Sequence, residues 1–144
     1  MKISRLLLLL SATLLATLLT ACALAGAGGP ITQEPQLGVP FTLKIWEEAI
    51  LDEELTIWFE SVVSDNRCPQ NVECIVAGLA EITLGVRTPS GDPALLTLGT
   101  EPGTDTVTFQ NYTIQLSALN PYPLDISPPL EDYEAILIIT RTNN

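Results

Sequence analysis

Along most of this chain apolar residues recur at every second position. That period belongs to a β-strand, whose successive side chains point to opposite faces. Phe41, Leu43 and Ile45 alternate with Thr42 and Lys44. Leu55, Ile57, Phe59 and Val63 share one parity, and Val76, Ala80, Ile82, Leu84 and Val86 share another. Ala94 to Leu98 and Thr104 to Gln110 continue the series. Tyr112, Ile114, Leu116 and Ala118 then alternate with Thr113, Gln115 and Ser117, and Tyr133 to Arg141 closes it. Turn-forming clusters separate these seven segments, at Pro89-Ser90-Gly91-Asp92-Pro93, Gly99 to Gly103, Asn120-Pro121-Tyr122-Pro123 and Ser127-Pro128-Pro129. Seven such strands predict an all-β fold, an antiparallel immunoglobulin-like β-sandwich. The closing segment is apolar on both parities after Glu134, which predicts a place in the middle of a sheet or under the sandwich's second layer. Trp46 to Leu55 reads differently: its acidic residues Glu47, Glu48, Asp52, Glu53 and Glu54 mark a polar connection between strands, with room for one helical turn.

Upstream of the strands lies a different kind of sequence. Lys2 and Arg5 precede an uncharged stretch from Leu6 to Pro30, and Leu19-Thr20-Ala21 stands directly before Cys22. Two cations, a leucine-rich run and a small-residue site form the layout of a secretory signal peptide, and the Cys at its end gives it the form of a bacterial lipoprotein signal. The sulfur of Cys22 is the expected lipid acceptor. An uncleaved transmembrane helix is the competing reading, but Gly26, Gly28, Gly29 and Pro30 would spoil its last turn and no basic cluster follows to stop transfer. The expected organisation is a signal peptide over residues 1–21, a lipidated Cys and flexible tether over 22–36, and the β domain over 37–144. The expected location is the bacterial cell envelope, outside the cytoplasm, held to the membrane through the lipid.

Charge narrows the partners. Without residues 1–21 the chain keeps four basic side chains against seventeen acidic ones, net −13. Nucleic acid and anionic lipid surfaces both need basic patches, so neither is an expected partner of the domain itself.

With Cys22 assigned to lipid, Cys68 and Cys74 remain in an exported, disulfide-permissive setting. Pro69 and Asn71 can turn the five-residue segment between them, so a Cys68–Cys74 disulfide is expected. A metal pair or redox dithiol fits less well: the chain contains no His, and the spacing is not C-x-x-C. Asp65 and Arg67 flank the disulfide. A guanidinium beside a carboxylate in a stapled loop makes a structural ion pair or bonds turn carbonyls. The functional alternative is a rigid polar loop in which Asp65, Arg67 and Glu73 meet a partner.

The run Asp65-Asn66-Arg67-Cys68-Pro69-Gln70-Asn71-Val72-Glu73-Cys74-Ile75-Val76-Ala77-Gly78-Leu79-Ala80 resembles a segment of a group of small bacterial lipoproteins and secreted proteins of unknown function. Their shared pattern is similar to D-S-R-C-P-x-x-V-x-C-x-W-A-G-x-A. Asn66 stands where Ser is usual and Val76 where an aromatic is usual. The resemblance implies the exported compartment, the disulfide and the β fold, and carries no chemistry with it.

Catalytic signatures are sparse. Without His, the Ser-His-Asp and Cys-His arrangements and common zinc sites are excluded in their ordinary forms. No G-x-S-x-G or phosphate-binding Gly loop is present. A small hydrolase using paired carboxylates stays as an alternative, as does a calcium-stabilised ligand-binding module with Asp52, Glu53 and Glu54 joined by Asp92, Glu101 or Asp105. The expected role is a binding or structural module, not an enzyme, that takes no obligatory cofactor. Trp46 and Trp58 fall on the parity opposite the apolar residues of their strands, and Tyr122 lies between Pro121 and Pro123. These three aromatics either pack locally or face a protein or glycan partner.

Overall fold

The computed structural model describes residues 33–125 and 127–142. The signal peptide, Cys22 and most of the tether lie outside the described residues. Among the described residues eight strands form: β1 (Phe41–Lys44), β2 (Glu48–Leu51), β3 (Leu55–Asp65), β4 (Ala80–Arg87), β5 (Ala94–Gly99), β6 (Thr106–Phe109), β7 (Tyr112–Asn120) and β8 (Glu134–Arg141). They make two four-stranded antiparallel sheets, ordered β1-β8-β7-β6 and β2-β3-β4-β5. β8 is an inner strand, as its two apolar parities require. One core between the sheets takes in Leu43, Leu51, Ile57, Phe59, Ile82, Leu84, Ile114 and Leu137, all buried.

Every hydrogen-bonded neighbour except the β1–β8 pair is consecutive in sequence. The Greek-key order of an immunoglobulin-like sandwich sets non-consecutive strands side by side in both sheets. The expectation therefore holds as an all-β, two-sheet antiparallel fold, with a sequential strand order in place of the Greek key.

The eighth strand is β2, inside the stretch expected to be a connection. Only Ala49 and Leu51 of β2 turn inward, and flanking acids on the outer parity and in the turn hide the alternation. Asp52 and Glu53 both take positive φ (49° and 59°), and the Glu54 N–H donates to the Leu51 carbonyl at 2.9 Å. The strands pair up to Leu51 and Leu55, so the connection is the three residues 52–54, with left-handed backbone at Asp52 and Glu53 where Gly or Asn is the usual choice.

Bulges account for the other departures. β3 slips register between Phe59 and Ser61 and again between Val62 and Ser64. The inward positions therefore run Phe59, Val62, Asp65, and Val63 is exposed instead of sharing the core parity. A slip between Leu116 and Ala118 in β7 likewise sends Leu119 inward, the place expected for Ala118. Val76 does not open β4. It is 74% exposed in the loop ahead of Gly78, whose positive φ (67°) carries the chain so close to Asn66 that a Cβ there would overlap the Asn66 carbonyl oxygen.

Candidate functional site

The strand directions gather the 66–79, 100–105 and 121–133 connections at one end of the sandwich. The stapled segment sits here: Cys68 and Cys74 are disulfide-bonded, with Cα atoms 5.9 Å apart. Its base is tied to β4's approach by Asn66 N–H to Leu79 O (2.9 Å) and Cys68 N–H to Ala77 O (2.7 Å). Gln70 and Asn71 N–H groups donate to Pro123 and Leu124 carbonyls, so the stapled loop and the 121–125 loop form one unit.

Beneath them the second β3 bulge turns Asp65 inward, where its side chain is 1% exposed. Arg67 meets it as a fork, Nε to Oδ1 at 2.8 Å and Nη2 to Oδ2 at 2.6 Å. The same guanidinium donates from Nη1 to Leu119 O (2.6 Å) and from Nη2 to Pro121 O (2.9 Å). The Tyr133 hydroxyl donates to Asp65 Oδ2 at 2.9 Å, and the Tyr122 ring lies 5.0 Å from the guanidinium carbon. Burial alone would raise the Asp65 pKa; the bonds from Arg67 and Tyr133 outweigh it and hold the carboxyl below its ordinary value. Burial, with the bond to Asp65, pushes the Tyr133 hydroxyl up to about 12. Asp65 and Arg67 thus face the interior and are not groups a partner would meet; of the three loop residues singled out in the sequence, Glu73 alone is exposed. An Asp two residues before an Arg carries the signal for the pair. Tyr133 and the Leu119 carbonyl, more than fifty residues away, carry none.

Around this locked base the loop surface is apolar. Val72, Ile75 and Val76 are exposed, as are Tyr122 and Leu124 on the neighbouring loop. A groove of about 350 Å³ lined by Pro121, Tyr122, Leu124, Pro128 and Pro129 continues the surface. Glu73, Asp125, Glu131 and Asp132, all exposed, carry the acidic charge of these loops.

The acidic turn lies at the opposite end. Arg141 Nη2 reaches Glu54 Oε2 at 2.7 Å and Asp52 Oδ2 at 3.6 Å. Glu54 also accepts from the Tyr112 hydroxyl at 3.0 Å; burial first and this bond second raise the Tyr112 pKa. Glu34, Asp52 and Glu53 border a shallow groove of about 490 Å³. Among the described residues no three His, Cys, Asp or Glu side chains converge as metal ligands. Glu101 and Asp105 sit in the β5–β6 connection at the stapled end, away from Asp52.

Both tryptophans belong to the edge and outer face of the β2–β5 sheet. Trp46 is 64% exposed at positive φ (65°), and its N–H donates to Phe59 O at 2.8 Å. Trp58 is half-buried and pairs with Glu48 on one side and Gly85 on the other. Its Nε1 donates to Glu60 Oε2 at 2.6 Å.

Comparison of the chain with protein-family models, with curated proteins and with solved structures gives no match.

Proposed function

We propose that this protein is an envelope lipoprotein, anchored through lipid on Cys22, whose stapled end binds a protein partner carrying an apolar contact surface rimmed by basic residues. The observation that carries this reading is the contrast within one end of the domain. Asp65, Arg67 and Tyr133 fix the loop bases with buried, mutually satisfied polar groups, while Val72, Ile75, Val76 and Leu124 stay exposed on top. A pre-ordered apolar tip loses little entropy on binding, and contiguous exposed apolar residues on a small domain mark interaction surfaces. The acids of the same loops favour a basic partner rim and disfavour contact with anionic lipid headgroups. Two acyl chains on Cys22 would hold the protein to the membrane, since each buried CH₂ contributes about 0.8 kcal/mol. The twelve residues from Cys22 to Gln33 span at most about 43 Å, enough to let the domain stand clear of the bilayer. The resemblance of the Asp65–Ala80 segment to small bacterial lipoproteins supports the same placement.

Two experiments test the proposal. Cells expressing the full chain should incorporate labelled palmitate, and Cys22→Ala should abolish it; labelling that persists in the variant refutes the anchor. Site-specific photo-crosslinking from position 75 should give a discrete adduct that Val76→Asp removes. An adduct insensitive to Val76→Asp refutes the apolar tip as the contact.

A further inference from the structure

From the outer face of the β2–β5 sheet, opposite to the core and distinct from the stapled end, we infer that this protein has a saccharide-binding platform centred on Trp58. Register places Glu48, Trp58, Gly85 and Leu95 in one row across all four strands. With strands about 4.8 Å apart the row is about 14 Å long, the reach of a short oligosaccharide. Gly85 is the residue that makes the platform. A Cβ there would overlap indole atoms Cε2, Cζ2 and Nε1 of Trp58, so only glycine lets the indole settle on the β4 backbone. Gly85 is buried although it belongs to the outward parity, because Trp58 covers it.

Packing accounts for one side of this indole and leaves the row around it open. Leu95, next to Gly85, is 65% exposed, and Trp46 stands exposed where the sheet edge bonds to Phe59. A bulky residue at positive φ is strained, and strain of this kind persists where the surroundings impose it. Glu60 holds the indole by Nε1 through one carboxylate oxygen and keeps the other for a ligand. The polar groups of the face are the carboxylates of Glu48, Glu60 and Glu81, the hydroxyls of Thr56, Thr83 and Thr97 and, one row from Trp58 and Gly85, the exposed guanidinium of Arg87. Trp58 and Leu95, set among carboxylates, hydroxyls and one guanidinium, suit a ligand with an apolar ring face and many O–H groups that both donate and accept. A pyranose chain has both. Three carboxylates against one guanidinium disfavour phosphate-bearing ligands.

The test is isothermal titration calorimetry of the full chain in a polyoxyethylene detergent, which carries no sugar, with cellohexaose and chitohexaose as probes. At least one probe should bind with a Kd of about 0.1–1 mM, a gain of about 4–5.5 kcal/mol. Trp58→Ala should weaken binding at least tenfold, about 1.4 kcal/mol, whereas Val39→Ala, away from the row, should leave it unchanged. Leu95→Arg provides a second variant at an exposed position that does not bear on folding, and it should weaken binding similarly. Absence of binding by both probes at several millimolar overturns the proposal, as does binding indifferent to Trp58→Ala and Leu95→Arg. Binding of tetramethylammonium alone overturns it too, since the platform would then be a cation site.

Discussion

Replacing Arg67 by Met tests how the stapled end is held. Arg67 is 7% exposed and donates to four acceptor positions: both Asp65 oxygens and the carbonyls of Leu119 and Pro121. Methionine fills part of the volume and donates nothing. Asp65 would keep the Tyr133 hydroxyl and the backbone N–H of residue 67 but lose its countercharge, and two carbonyls would lose a charged donor. Breaking a buried pair from one side costs about 3–5 kcal/mol, most of it from the charge left behind. For a domain of this size that corresponds to a fall in Tm of roughly 10–20 °C. Circular dichroism melts of the detergent-solubilised full chain measure it. Asp65→Leu/Arg67→Met removes both charges and should melt above Arg67→Met alone, because two apolar replacements leave no stranded ion.

The acid limb of the stability curve should weaken with the mutation. In the native protein Asp65 titrates below its unfolded value of 3.8. Its stabilising contribution is therefore complete above that value and is lost as pH falls through the lower folded pKa. In Arg67→Met, burial still raises the carboxyl pKa while only the Tyr133 hydroxyl and the backbone N–H of residue 67 remain to lower it, so the folded pKa moves up and the loss of stability on acidification should shrink. A loss below about 1 kcal/mol for Arg67→Met, or a double variant no better than the single, would refute the reasoning.

Other perturbations follow from the same structure. Glu53→Gly should stabilise by up to about 1 kcal/mol in urea titrations, because glycine relieves a left-handed position at φ 59° and gives back part of the gain as chain entropy; a lowered midpoint would contradict the hairpin geometry. Gly78→Ala places a Cβ onto the Asn66 carbonyl at positive φ and should destabilise by about 2–4 kcal/mol in the same assay. Tyr133 binds its proton more tightly folded than unfolded, so its contribution is complete below pH 10 and is lost as pH rises toward about 12; Tyr133→Phe should flatten that alkaline limb of the stability curve. Reducing the Cys68–Cys74 bond should cost about 2 kcal/mol, the low end for a short loop, without unfolding the sandwich.

Most of the fold was legible because period two survives wherever a strand is regular. Ile82, Leu84 and Val86, or Ile114 and Leu116, have the parity that the sequence announces. Bulges are not legible, since an extra residue leaves no compositional mark; Val63 and Ala118 were misplaced for that reason. β2 escaped because four residues give only two inward positions, and the left-handed Asp52-Glu53 turn lacks the Gly or Asn that usually signals such backbone. The immunoglobulin-like order was read from strand number and spacing, which do not distinguish a Greek key from a sequential order. In the candidate site, Cys68–Cys74 and the Asp65–Arg67 pair were readable because their members are local. Tyr133, the Leu119 carbonyl and the Gly85 seat of Trp58 depend on register between distant segments.

The central claim, a membrane-held domain binding through its stapled end, is tested most directly by photo-crosslinking in intact cells with the full chain, Cys22 included. The probe is placed at position 75 and, for comparison, at position 140 on β8. The account predicts a discrete protein adduct from position 75 that is absent from position 140 and lost with Val76→Asp. Equal adducts from both positions, or none from position 75, would contradict it.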